Sequence, residues 1–410
     1  MNNISGVPAD QAAHLLQQLK MPATLDIAQF WHEAATASFP LITPVANDSD
    51  LREVTFLWRT KGAPQAVYLH LNRVTDKNNV AQGMMTPLPL HDIWILTLRL
   101  PASYCGSYTF TEIPATASAA SISLLGTRDS ALPGQPDPLN TSPQMASRDD
   151  LRHSVLALDR APSQAEWADA PDSYHGVQII TRHVLAGKER LVRLYLPNVP
   201  PSTPLGLLVQ PDAERWFGSL GLPRAMDNAI ASGRITPMAV LGIDNINTAD
   251  RIETLGARSE LVLDIAERLV PDIRKTHADR QWADRTRTVM AGQSLGGLTA
   301  LMAARYAPHI FGGVISQSAS MWSVPDKSRR PADFTVGERS WITEHILAAP
   351  PKTVRVRLNI GALEGAMVPH TERLHQRLLT AGVDSQLAIY TGGHDYAWWR
   401  GALLDSLATL

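Results

Sequence analysis

The chain has one cysteine, Cys105, in 410 residues, so no intrachain disulfide framework can brace it. A lone thiol suits a reducing compartment, and the cytoplasm is the expected location; Cys105 itself reads as a buried structural thiol. No uncharged apolar run reaches about 18 residues, so no membrane span is expected. Residues 1–20 carry neither a basic start nor an apolar h-region, so no secretory signal is expected. The formal net charge is -2, which supplies no basic field for nucleic acid. No His/Cys/Asp/Glu spacing suits a metal and no glycine loop suits a phosphate, so no cofactor is expected. What is present fits a well-cored globular protein, with 44% apolar and 19% charged residues. At this length two domains are the expectation.

Four regions are read along the chain. Residues 1–44 hold two short helical patterns, at 10–20 and 27–37. Residues 45–124 change to a period of two. Strand patterns at 52–59, 66–71, 93–100 and 107–110, separated by turn signals, predict a small β-sandwich. Residues 125–175 are rich in Pro, Asp, Ser and Gln and are read as an extended linker. The turn writers there are Asp137-Pro138-Leu139-Asn140 and Asp169-Ala170-Pro171-Asp172. From 176 to 410 strands alternate with helices. Residues 178–183 and 189–196 read as an antiparallel edge pair. Apolar runs at 205–209 and 238–243 read as buried parallel strands. The pattern predicts an α/β-hydrolase-type domain with a doubly wound, mostly parallel sheet.

Gly292-Gln293-Ser294-Leu295-Gly296 is a GxSxG sequence. A strand pattern precedes it at 287–291, a helix pattern follows at 298–305, and another strand pattern covers 311–316. That context makes the pentapeptide a nucleophile elbow, with Ser294 on a sharp turn and its hydroxyl exposed. A serine nucleophile needs a base, and the base needs an orienting carboxylate. Downstream histidines are His309, His345, His370, His375 and His394. Only His394 sits in a glycine loop, Gly392-Gly393-His394-Asp395, just past the last strand pattern. It is the expected base. Glu364 is the carboxylate in the loop after the 354–360 strand, where the acid belongs. Asp384 and Asp395 are its rivals, and a serine–histidine pair without an acid stays open.

The oxyanion needs two preorganised N–H groups. Leu295 supplies one. The other is sought near Ala213 or Glu214, after the 205–209 strand. Arg215, Arg251 and Arg258 fall on the same rim and suit an anionic substrate. The aromatics Trp216, Trp322, Tyr396, Trp398 and Trp399 suit a flat ring, although core packing explains Trp398 and Trp399 as well.

At these residues the chain resembles the enterochelin esterase family, near the variant linked with glucosylated enterobactins. Glu53-Val54-Thr55-Phe56-Leu57-Trp58-Arg59 is similar to the family's EVTFWWR strand. The segment 99–110, with Gly106-Ser107-Tyr108, resembles WRGSYCF, and 137–140 matches DPLN. Residues 289–298 resemble VVAGQSFGGL, 316–322 resemble SQSGSYW, and 392–401 resemble GGHDALCWRG. The resemblance implies a cytoplasmic serine hydrolase that opens the trilactone of ferric enterobactin to linear dihydroxybenzoylserine oligomers. It also implies an immunoglobulin-like N-terminal sandwich. Ser294, His394 and Glu364 match the family's nucleophile, base and acid. Two loops depart from the pattern: Asp212-Ala213-Glu214-Arg215-Trp216 has alanine where the family has glycine, and the Glu364 loop lacks the usual proline. The expected partner is therefore a catecholate siderophore, with no nucleic acid and no membrane; monomer and dimer both stay open. A general carboxylesterase of feruloyl or thioester type is the alternative within the class. A siderophore- or carbohydrate-binding protein with a dead hydrolase domain is the alternative outside it.

Overall fold

The computed structural model describes residues 9–127, 129–146, 152–168 and 175–410, so the turn sequence at 169–172 lies outside the described residues. The chain divides into two compact units, Met1–Pro162 with Thr391–Trp398, and Ser163–Tyr390 with Trp399–Leu410.

The first unit opens with helices Ala9–Leu19 and Ile27–Ala34. Asp26 caps the second by accepting from the amides of Ala28 and Gln29. Eight strands follow: β1 Leu41–Val45, β2 Asp48–Arg59, β3 Ala66–Leu71, β4 Thr86–Pro87, β5 Ile93–Pro101, β6 Cys105–Ile113, β7 Met145–Ala146 and β8 Arg152–Ala157. They form two antiparallel four-stranded sheets, β1-β2-β5-β4 and β3-β6-β8-β7. Val54, Phe56 and Trp58 of β2 pack with Val67, Leu69, Tyr108, Phe110 and Leu156 of the other sheet. Leu57, on the opposite face of β2, packs with Leu15, Phe30 and Ala34 of the helices. Both faces of β2 are therefore covered, and Phe56, Leu57 and Trp58 follow one another without a polar residue between them.

The stretch expected as a linker contributes β7 and β8, and β8 pairs with β6 from Cys105↔Ala157 to Tyr108↔Ser154. Its six residues lie between polar segments, so its period was too short to stand out. The DPLN sequence locks this edge. Asp137 accepts from the Tyr108 hydroxyl at 2.8 Å, and Asn140 donates to Tyr108 Oη and to the Val155 carbonyl, both at 2.9 Å. Burial pushes the Asp137 carboxyl up to about 6, against the hydrogen bonds that favour its charge.

The second unit carries β9 Val177–Leu185, β10 Lys188–Leu196, β11 Gly206–Pro211, β12 Met238–Ile243, β13 Thr288–Gln293, β14 Gly313–Gln317, β15 Arg355–Gly361 and β16 Ser385–Tyr390. They form one sheet in the order β16-β15-β14-β13-β11-β12-β10-β9. β11 to β16 run parallel, and β9 and β10 are the antiparallel edge. The mixed sheet is consistent with an α/β hydrolase. β12 lies on one side of β11 and β13 on the other, so the strand order reverses there. In open α/β sheets such a reversal leaves a crevice at the carboxyl ends of the strands.

Candidate active site

Five loops of the second unit leave the carboxyl edge of this sheet, after β11, β12, β13, β14 and β15.

β13 is buried along its whole length and ends at Gln293. Ser294 then takes φ 59°, ψ -119°, and helix Leu295–Tyr306 starts at the next residue. That backbone region is costly for a residue with a side chain and persists where the surroundings enforce it. Here they do. The Ser294 amide donates to the Gln317 carbonyl at 2.9 Å, and its carbonyl accepts from the Ser320 amide at 3.1 Å. Two glycines around the serine, Gly292 of the motif and Gly297 just after it, have a steric cause. A Cβ on Gly292 would lie 2.4 Å from the Gly296 carbonyl oxygen, and one on Gly297 would lie 2.8 Å from that of Gln317. The hydroxyl of Ser294, half-buried, lies 3.3 Å from Ser320 Oγ. The Leu295 amide is in the first helical turn, where no intrahelical acceptor exists.

Glu364 is 5% exposed in the loop after β15. Its Oε1 accepts from the Gly361 amide at 2.9 Å and from the Ser318 hydroxyl. Ser318 in turn accepts from Trp399 Nε1 at 2.8 Å. Ser318 and Ser320 thus join the loops of Glu364 and Ser294. Asp384, the rival at the opposite end of β16, pairs with Arg357 at 3.0 Å. His394 is half-buried in the segment Thr391–Trp398, which leaves the end of β16 but belongs to the first unit. The other downstream histidines have structural partners: Glu267 for His309, Tyr306 and Trp341 for His345, the Thr335 carbonyl for His370 and Ser385 for His375.

Asp212 follows β11 in the left-handed region, at φ 58°, and starts the short helix Ala213–Trp216. It is 1% exposed, yet it is held ionised. Burial pushes its carboxyl up, and the charge and hydrogen bonds of Arg251, with Asn245 and Gln293, more than offset that and hold it below the usual range. Arg251 Nε and Nη2 reach the two carboxylate oxygens at 2.5 and 2.9 Å. Gln293, next to Ser294, donates to Asp212 Oδ2 at 2.5 Å and accepts from Trp216 Nε1 at 3.1 Å. The loop that presents the Ala213 and Glu214 amides is therefore tied to β13, the strand that leads into Ser294. Glu214 accepts from the Asn245 amide, and burial followed by the nearby Asp212 charge raises its carboxyl.

Residues 184–410 match the family Esterase, and residues 53–167 match the family described as enterochelin esterase, N-terminal. The chain is 54% identical to the iron(III) salmochelin esterase of Escherichia coli O6:H1, over 97% of each protein. The chain belongs to the enterochelin esterase family. It is 27% identical to the iron(III) enterobactin esterase of Dickeya dadantii, over 98% of this chain and 97% of that one. The solved ferric enterobactin esterase of Salmonella typhimurium is 25% identical, with a TM-score of 0.77, over 93% of this chain and 98% of that one. This chain is thus a carboxylic ester hydrolase.

Of the residues expected on the substrate side of this esterase, two are placed otherwise. Trp216 has no exposed surface and lies in the core against Trp167, so it supports the loop from beneath instead of meeting a ligand. Arg251 is spent largely on Asp212. Arg215 and Trp322 are half-buried, and Arg258 lies 3.7 Å from Glu260 with 39% of its side chain exposed. Ser318, Ser320, Gln293 and Asp212 were not singled out in the sequence. Their signal is position: Gln293 ends β13, and Asp212, Ser318 and Ser320 lie within three residues of the ends of β11 and β14. Among the described residues no cluster suits a metal ion, and no helix is long and apolar enough to cross a membrane.

Proposed function

We propose that this esterase opens the cyclic trilactone of ferric enterobactin, or of its glucosylated forms, to linear oligomers of 2,3-dihydroxybenzoylserine. The observation that carries the reading is a strained serine elbow in a chain 54% identical, over 97% of each protein, to a salmochelin esterase. Ser294 Oγ attacks a lactone carbonyl carbon while His394 takes its proton and Glu364 orients the imidazole. The Leu295 and Glu214 amides meet the oxyanion. Collapse breaks the ester C–O bond, and the imidazolium returns the proton to the departing serine hydroxyl of the siderophore. Water then cleaves the acyl-enzyme by the same route. The base assignment is supported by chain order and by the glycine loop after β16, and the acid by the burial and hydrogen bonding of Glu364.

On the substrate side, Arg215 and Arg258 meet the catecholate anion and Trp322 meets its rings, while Arg251 acts through Asp212. Iron is cargo, the setting is cytoplasmic, and the two-sheet unit is read as immunoglobulin-like. Chromatography of products from apo, ferric and glucosylated enterobactin, beside a panel of neutral aryl esters, tests the substrate. Linear oligomers from the trilactones, with aryl esters turned over far more slowly, are expected. Comparable turnover of all esters would indicate a general carboxylesterase, and no turnover of any would indicate a binding protein.

A further inference from the structure

The segment Thr391–Trp398 is fastened to side chains and strand ends of its own unit. The Cys105 amide, at the start of β6, donates to the Thr391 carbonyl at 2.9 Å, and Ser103 Oγ meets Thr391 Oγ1 at 2.7 Å. Asp395, next to His394, is 5% exposed and has three donors. Its Oδ2 accepts from the Ser107 amide at 2.6 Å and from the Ser107 hydroxyl at 2.7 Å, and its Oδ1 caps the last helix through the Ala397 amide at 2.9 Å.

The two glycines before His394 record the same packing. A Cβ on Gly392 would lie 2.5 Å from the Cys105 carbonyl oxygen. One on Gly393 would lie 2.2 Å from Asn72 Oδ1 and 2.3 Å from Arg73 Cγ. The loop is glycine-rich because it is pressed against the ends of β3 and β6. A carboxylate used only as a helix cap needs neither Ser107 nor this pressed contact.

We infer that Ser107 and Asp395 are positioning residues for the base: the N-terminal sandwich holds the His394 backbone in place through them. This role rests on His394 being the base. It gives the sandwich a part in turnover besides any part in stability. Misplacing a reacting group by about 1 Å costs roughly 100-fold. Loosening the clamp is therefore expected in kcat, with KM unchanged, because substrate contacts are not removed.

The test compares Ser107→Ala, Asp395→Asn and His394→Ala in the full chain. It measures kcat, KM, thermal stability and hydrogen exchange of the 391–397 amides. Expected are a fall in kcat of about tenfold for Ser107→Ala and about 100-fold for Asp395→Asn, KM within about twofold, and faster exchange confined to that segment. Normal kcat in a folded variant whose segment exchanges faster would overturn the role, as would a kcat loss that only tracks the unfolded fraction. Ser107→Ala, which keeps the backbone donor, carries the test if Asp395→Asn does not fold. His394→Ala separates the two failures. If it stays active, the base assignment is wrong; if it is dead while the other two are fully active, only the clamp is wrong.

Discussion

Replacing Arg251 with methionine removes the main counter-charge of a carboxylate that is 1% exposed. Removing one partner of a buried pair costs about 3–5 kcal/mol, because the other charge stays buried without compensation. In a unit of this size each kcal/mol corresponds to roughly 2–4 °C, so the melting temperature should fall by about 6–20 °C. The loss should depend on pH. In the wild type Arg251 holds the Asp212 pKa down, so the group stabilises the fold above its unfolded pKa and that contribution fades as pH falls through the folded value. In Arg251→Met burial dominates and the Asp212 pKa rises. The variant then regains stability as pH falls, and the gap to wild type narrows between about pH 7.5 and pH 5. The double variant Arg251→Met/Asp212→Asn should melt above Arg251→Met alone. Thermal unfolding followed by circular dichroism at the two pH values measures all three. A variant that melts like wild type, and differs only in a raised KM for the ferric complex, would refute the structural role of Arg251 and return it to the substrate.

Other expectations follow from the same geometry. Glu364→Ala should lower kcat by roughly 10²–10⁴-fold with little change in KM, and undiminished turnover in steady-state assays would mean that another group orients the base. Asp137→Asn should flatten a stability gain that the wild type shows on acidification. The raised Asp137 pKa destabilises the neutral-pH fold, an effect on the order of 3 kcal/mol that disappears as pH falls below about 4. Denaturant unfolding at several pH values reads this, and a wild-type curve with no gain between pH 7 and pH 5 speaks against it. Arg215→Glu should raise KM for the ferric trilactone more than for a neutral aryl ester; equal effects in parallel kinetics would remove Arg215 from substrate recognition.

Much of the second unit was legible because buried parallel strands are written as short apolar runs, and β11 and β12 stand where those runs do. The elbow was legible because steric demand fixes the first glycine of its motif and the glycine just after it: Gly292 and Gly297 have no room for a Cβ. β8 was not, since a six-residue edge between polar segments has too few periods to be distinguished from a linker. Nor were the Asp212–Arg251 and Ser318–Glu364 pairs, whose members are separated by 39 and 46 residues and meet only because their strands end on one edge. Trp216 illustrates the converse. An aromatic beside a site loop reads the same in sequence whether it faces a ligand or the core, and here it faces the core.

The most direct measurement is covalent labelling by a fluorophosphonate, read by mass spectrometry of wild type, Ser294→Ala and His394→Ala. An activated nucleophile gives one phosphonylated peptide containing residue 294, none in Ser294→Ala, and labelling slowed by orders of magnitude in His394→Ala. Label at another serine, or at residue 294 with no dependence on His394, would contradict the account.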